Sequence, residues 1–139
     1  MGIVLVSRCL LGCPCRYDGK SCPDGRVLAL GKEHALIGVC PECDGGLPTP
    51  RPPAERRGES VVTASGADVT EAYRRGAEIA LRLAKELHAD YAVLKAKSPS
   101  CGRGMIYDGG FTGTLVPGNG VTAELLLQNG VPVKTENDL

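Results

Sequence analysis

Three cysteines follow three apolar runs that lie far apart in the chain. Ile3-Val4-Leu5-Val6 leads into Cys9, and Ala35-Leu36-Ile37-Gly38-Val39 leads into Cys40. Tyr91-Ala92-Val93-Leu94 leads through Ser98-Pro99-Ser100 to Cys101. Each run has the length and composition of a strand. In an open parallel sheet, ligands bind in the crevice outside the carboxyl ends of the strands. Three thiolates gathered there suit a metal or an iron–sulfur cluster. Such clusters usually take four cysteines, so three would leave one iron exposed, much as a catalytic zinc keeps one open position. An exposed iron is a soft Lewis acid that favours a sulfur ligand.

Seven cysteines, an odd number, point to metal binding or catalysis rather than a disulfide framework in a reducing compartment. Two other arrangements compete with the cluster. Cys40-Pro41-Glu42-Cys43 is a C-x-x-C pair. It could hold zinc together with two of Cys9, Cys13, Cys15 and Cys22, making a non-catalytic metal-binding module. It could also serve as the dithiol of a redox or sulfur-carrier protein. A thioredoxin-like dithiol needs a helix starting at the pair, and Asp44-Gly45-Gly46 argues against one. His34, between a helix and a strand, and His88, near a helix C-terminus, read as surface residues rather than ligands. The enzyme reading comes first because it alone accounts for all three strand-end cysteines. Arg16, Tyr17 and Arg51 are candidate substrate contacts, since Arg suits planar, bidentate recognition of carbonyl or phosphate groups.

The elements that must position these residues can be read along the chain. Residues 3–7 and 35–39 are continuous apolar runs, expected to be strands buried on both faces. A Cys-, Gly- and Pro-rich loop covers 8–22, and Pro23 and Asp24 open a short helix through about Lys32. Residues 44–60 carry four prolines between Pro48 and Pro53, which excludes a helix interior or a central strand. Val61-Val62-Thr63 reads as an edge strand or one arm of a hairpin. Apolar residues at helical spacing from Val69 to Leu87 predict a long amphipathic helix, with Asp68 and Glu71 as a capping-box variant. Its small Gly76, Ala77 and Ala80 would allow close approach to a sheet. Residues 91–96 form a third strand. Met105 to Val116 holds a hairpin turning at Gly109-Gly110, Val121 to Gln128 a helix ended by Asn129-Gly130, and Val131 to Lys134 a fourth strand. Strands alternating with helices imply an α/β fold, Rossmann-like and three-layered, on a mainly parallel four-stranded sheet.

Composition narrows the function classes. The length of 139 residues fits one domain over 1–139, large enough to bury about 70% of its extended-chain surface. Sixteen Lys and Arg balance sixteen Asp and Glu, which gives no basic surface for DNA. Four Tyr, one Phe and no Trp are too few for a single-strand-binding platform. No apolar run approaches the roughly 20 residues of a membrane span, and the N-terminus does not read as a secretory signal. The expectation is a cytoplasmic protein bound to neither DNA nor membrane. Oligomeric state is not legible.

Several of these segments carry a resemblance. Cys9-Leu10-Leu11-Gly12 with Arg16-Tyr17-Asp18-Gly19 is one. Cys40-Pro41-Glu42 with Gly45-Gly46-Leu47-Pro48-Thr49-Pro50-Arg51 is a second, and Ser98-Pro99-Ser100-Cys101-Gly102 a third. Ile106-Tyr107-Asp108-Gly109 and Phe111-Thr112-Gly113-Thr114 follow. Together they resemble the thiouracil desulfidase family over essentially the whole chain. The resemblance implies a [4Fe-4S] cluster with one open iron, held by Cys9, Cys40 and Cys101. It implies acid–base or water-activating roles for Glu42 and for a serine of the Ser-Pro-Ser loop, Ser98 preferred over Ser100. It also implies a thiolated uracil or related small thio-compound as substrate, loss of its sulfur as sulfide without redox change, and loading by iron–sulfur assembly machinery. Cys13, Cys15, Cys22 and Cys43 lie outside the three-ligand pattern.

Overall fold

The computed structural model describes residues 2–139. Four strands, β1 (Gly2–Ser7), β2 (His34–Val39), β5 (Tyr91–Leu94) and β8 (Val133–Thr135), form a parallel sheet in the order β2-β1-β5-β8. Strands β3 (Ala54–Arg57) and β4 (Ser60–Thr63) form one antiparallel hairpin, and β6 (Met105–Tyr107) and β7 (Leu115–Pro117) another. Helices α1 (Gly25–Leu30), α2 (Pro41–Asp44), α3 (Thr70–Glu86) and α4 (Val121–Gln128) complete the fold, with a 3-10 turn over Arg8–Leu11 and another over Glu136–Asp138. The expected α/β architecture with a four-stranded parallel sheet is present.

The sheet is covered on both faces. Leu5, Ala92 and Leu94 pack against Ala80 and Ala84 of α3 and Ala123 and Leu126 of α4. Val4, Val6 and Val93 face the other way, onto Leu10 and Val27. This alternation follows from side chains leaving successive strand positions on opposite faces. The two central strands are the buried ones, β1 from Val4 to Ser7 and β5 from Ala92 to Leu94. β2 departs from the expectation of burial on both faces. It lies at the sheet edge, and only Val39 is buried. Residues 95 and 96 do not extend β5. The Lys95 N–H donates instead to Ser7 Oγ at 2.9 Å, and the Ala96 N–H to Glu136 Oε1 at 2.8 Å.

Local chemistry sets the helix starts. Asp24 caps α1, accepting the N–H groups of Arg26 and Val27. At α3 the expected capping box is not formed. Asp68 accepts only the Thr70 N–H, at 2.9 Å, and Glu71 pairs with Arg74 one turn on. His88 is exposed as expected, whereas His34 opens β2 with its ring edge-on to Tyr91. Among the described residues, no helix is long and apolar enough to cross a membrane.

One contact places the turn after β2. Gly76 does not face the sheet, as its small size suggested, but the backbone of Pro41. A Cβ built on Gly76 would stand 1.8 Å from the Pro41 carbonyl oxygen, and one on Gly45 would stand 2.0 Å from the Ala72 carbonyl oxygen. Two glycines thus let α2 lie directly on α3. In an open helix interior, Gly→Ala stabilises by roughly 1 kcal/mol. Here the sign should reverse. Gly76→Ala is expected to cost about 1–3 kcal/mol through overpacking, while Arg75→Ala on the exposed face stays within about 0.5 kcal/mol. Urea denaturation of the two variants beside the parent checks this, and a stabilised Gly76→Ala protein would contradict the packing described.

Candidate active site

The carboxyl ends of β1, β2 and β5 open onto one cavity of about 640 Å³. Cys9, Cys40 and Cys101 all line it. Cys9 sits in the 3-10 turn after β1, and its carbonyl accepts the N–H groups of Gly12 and Cys22, which folds the loop back on itself. Cys40 is the N-terminal boundary residue of α2. Cys101 follows the Ser98-Pro99-Ser100 loop after β5, where Ser98 Oγ accepts its N–H at 3.0 Å. The three cysteines therefore meet as the spacing of the strands suggested.

Every one of these thiols is held as an acid weaker than usual. Burial, and then the neighbouring Cys101 and Cys40, push the Cys9 thiol up to about 12. Burial pushes Cys101 up to about 12 against the opposing hydrogen bond of Ser7. Cys40 is raised first by its side-chain hydrogen bond with Cys15 and then by burial, and its thiol also reaches the Cys15 carbonyl at 3.8 Å. A metal group would have to displace these protons and repay the desolvation of the thiolates with its own charge.

That thiol chemistry discriminates among the three readings. A redox dithiol works through a thiol made more acidic than normal, and both Cys40 and Cys43 are shifted the other way. The turn itself does begin at the C-x-x-C pair, contrary to expectation. Pro41 occupies the first helical position, where its fixed φ favours a start, and the glycines end the helix after four residues. A single zinc would need its thiolates about 3.8 Å apart, given Zn–S bonds of about 2.3 Å. Among the described residues, no three Cys, His, Asp or Glu side chains are grouped to hold one ion. Three soft donors lining a shared cavity fit a larger sulfur-bridged group better.

Glu42 lies two residues after Cys40 and is fixed from two sides. Tyr73 of α3 donates its hydroxyl to Glu42 Oε1 at 2.8 Å, and the Arg51 guanidinium pairs with Oε2. The Tyr73 bond depends on the close contact of α2 with α3. Arg51 itself is 9% exposed. It also donates to the Cys15 and Pro48 carbonyls, at 3.0 and 3.2 Å, and to Thr49 Oγ1 at 3.1 Å. Its donors are thus largely engaged within the protein. Arg16 and Tyr17 reach the cavity wall, with the Arg16 guanidinium 5.9 Å from the Tyr17 ring centroid.

The two serines separate. Ser98 lines the cavity, and its Oγ accepts the N–H groups of Ser100 and Cys101. Ser100 is fully buried, and its hydroxyl pairs with Thr122 Oγ1 at 2.8 Å, so it serves the anchoring of α4. Of the remaining cysteines, Cys15 lines the cavity and Cys43 rests 3.6 Å from an Arg51 nitrogen. Sequence reasoning missed Lys95. This residue borders the cavity and holds Glu136 at 2.8 Å, a buried carboxylate from the 3-10 turn after β8. Its place immediately after β5 was the available signal. Tyr73 was also missed, because its helical spacing marked it as core.

The family model for 2-thiouracil desulfurase matches residues 4–138. The chain is 46% identical over 147 aligned residues to "Uncharacterized protein YbbK" of Bacillus subtilis (strain 168), covering 99% of this chain and 97% of that one. It superimposes on the solved structure of a [4Fe-4S]-dependent thiouracil desulfidase, TudS, with a TM-score of 0.95 and 50% identity, covering 100% of this chain and 93% of that one. The chain belongs to the 2-thiouracil desulfurase family.

Proposed function

We propose that the protein is an iron–sulfur-dependent desulfurase that replaces the sulfur of a thiolated pyrimidine with oxygen. The reaction consumes one water and releases one sulfide, with no net change of oxidation state. The observation that carries this reading is the meeting of Cys9, Cys40 and Cys101 on the cavity that also holds Glu42 and Ser98. Membership of the family and likeness to a [4Fe-4S]-dependent relative support it. Cys9, Cys40 and Cys101 would hold a [4Fe-4S] cluster whose fourth iron, left open, supplies a Lewis acid for the substrate's sulfur.

The chain's own groups account for the rest of the chemistry. Glu42 takes a proton from the attacking water through lone pairs not engaged by Tyr73 or Arg51, and returns it to the departing sulfur. Arg51 and Tyr73 keep that carboxylate in one orientation, so little geometry must be found at the moment of reaction. Ser98 spends its oxygen on two backbone N–H groups, which leaves its own O–H to donate toward the reacting carbon's substituent. Lys95, fixed by Glu136, borders the same cavity and favours the thiolate of Cys9. Arg16 and Tyr17, at the cavity wall, contact the substrate.

Two outcomes follow. After anaerobic reconstitution with iron and sulfide, the protein is expected to carry about four irons per chain. Cys9→Ser, Cys40→Ser and Cys101→Ser should each fall well below that, while Cys22→Ser should not. Iron and sulfide quantitation decides, and a Cys101→Ser variant that releases sulfide from 2-thiouracil would end the assignment. Glu42→Gln should keep its iron and lose about 10²- to 10⁴-fold in turnover, read as sulfide release under saturating substrate. Unchanged turnover would remove Glu42 from the mechanism.

A further inference from the structure

The chemistry above leaves the hairpin motif Phe111-Thr112-Gly113-Thr114 without a task. The chain has only four Tyr and one Phe, yet Tyr17, Tyr73, Tyr107 and Phe111 all line the cavity of the three cysteines. Tyr73 is committed to Glu42, and Tyr17 is 41% exposed beside Arg16. Tyr107 and Phe111 are both half-buried on the cavity wall and belong to neither core cluster. Phe111 differs in offering only an apolar ring and in its backbone.

Its backbone is held where a bulky residue rarely goes, at φ +57° in the left-handed region. The hold comes from the other hairpin. Glu55 Oε1 accepts the N–H groups of Gly109 and Phe111, at 3.0 and 3.2 Å, and Arg57 Nε donates to the Gly109 carbonyl at 2.6 Å. Strained conformations persist only where the surroundings over-determine them, and they gather at functional sites. A carboxylate from one hairpin thus fixes the turn of another, with the chain's one phenylalanine on the reaction cavity.

We propose that Phe111, set in place by Glu55, is the ring-stacking residue of this site. It takes the face of a planar, conjugated six-membered heterocycle and selects it over a puckered ring of the same substituents. The identity of the heterocycle rests on the desulfurase reading; the preference for planarity does not. Phe111 is the contact, and Glu55 is a positioning residue.

The test is calorimetric binding of uracil and of 5,6-dihydrouracil, planar and puckered versions of one ring, to the iron-loaded protein. The parent should bind uracil about tenfold or more tightly than the dihydro ring, the scale of one base–aromatic stack. Phe111→Leu, which keeps an apolar side chain of similar bulk, should abolish the preference, and Phe111→Trp should retain it. Glu55→Ala should lower it. Thermal melts identify any variant that fails to fold, and Phe111→Trp against Phe111→Leu then decides alone. A preference that survives in Phe111→Leu, or a parent that shows none or binds neither ring, overturns the proposal. Sulfide release from 2-thiouracil by the parent judges the desulfurase reading separately. Release without ring preference defeats stacking alone, and ring preference without release defeats desulfuration alone.

Discussion

The guanidinium of Arg51 is the contact on which the site depends. It touches three stretches of chain at once: the carbonyl of Cys15 in the loop after β1, Glu42 and Cys43 in the turn after β2, and Pro48 and Thr49 in its own Pro-rich loop. Its backbone N–H also donates to the Tyr17 carbonyl at 2.8 Å. A buried charge with most of its donors used is stable only while its partners remain, and losing one partner costs about 3–5 kcal/mol. The Pro-rich segment, which has no regular structure over 47–53, is thereby fixed as one wall of the cavity. The segment serves as a strut in the fold.

Above this strut the geometry is set by absence of side chains. Gly45 and Gly76 bring α2 onto α3 until backbone touches backbone. That separation is what allows Tyr73, otherwise an ordinary core residue of an amphipathic helix, to reach Glu42. Burial raises the thiols, and the Lys95 ammonium, held by Glu136, opposes that rise at Cys9. The site therefore combines soft donors, a doubly held carboxylate and a fixed ammonium in one cavity, the arrangement expected where an electron-rich sulfur is to be bound and then expelled.

Much of this could be read from residue order alone. Strand-end cysteines, alternating strand and helix signals and the turn glycines placed β1, β5, α3, α4 and the second hairpin within a residue or two, because each is governed by local periodicity. What was illegible is what depends on neighbours distant in the chain. The edge position of β2 follows from sheet order, which hydrophobicity does not encode. The helical turn at Pro41 was hidden by the glycines that end it. Arg51 read as a substrate contact because nothing in the sequence says that its partners are Cys15 and Glu42. Ser98 and Ser100 look equivalent as residue types and differ only because α4 brings Thr122 to one of them.

The carboxylate of Glu136 has a consequence for the order in which the molecule is built. It binds Lys95 and the Ala96 N–H, so the end of β5 takes its final shape only once a turn forty residues later in the chain has docked. Cys9 belongs to the turn after the first strand and Glu136 to the turn after the last one, which makes the site a high-contact-order structure whose parts cannot ripen in sequence. During synthesis the early cysteines are present long before the cavity exists. On the reading proposed above, capture of a metal group at Cys9, Cys40 and Cys101 would therefore be an event of the finished fold rather than of the growing chain.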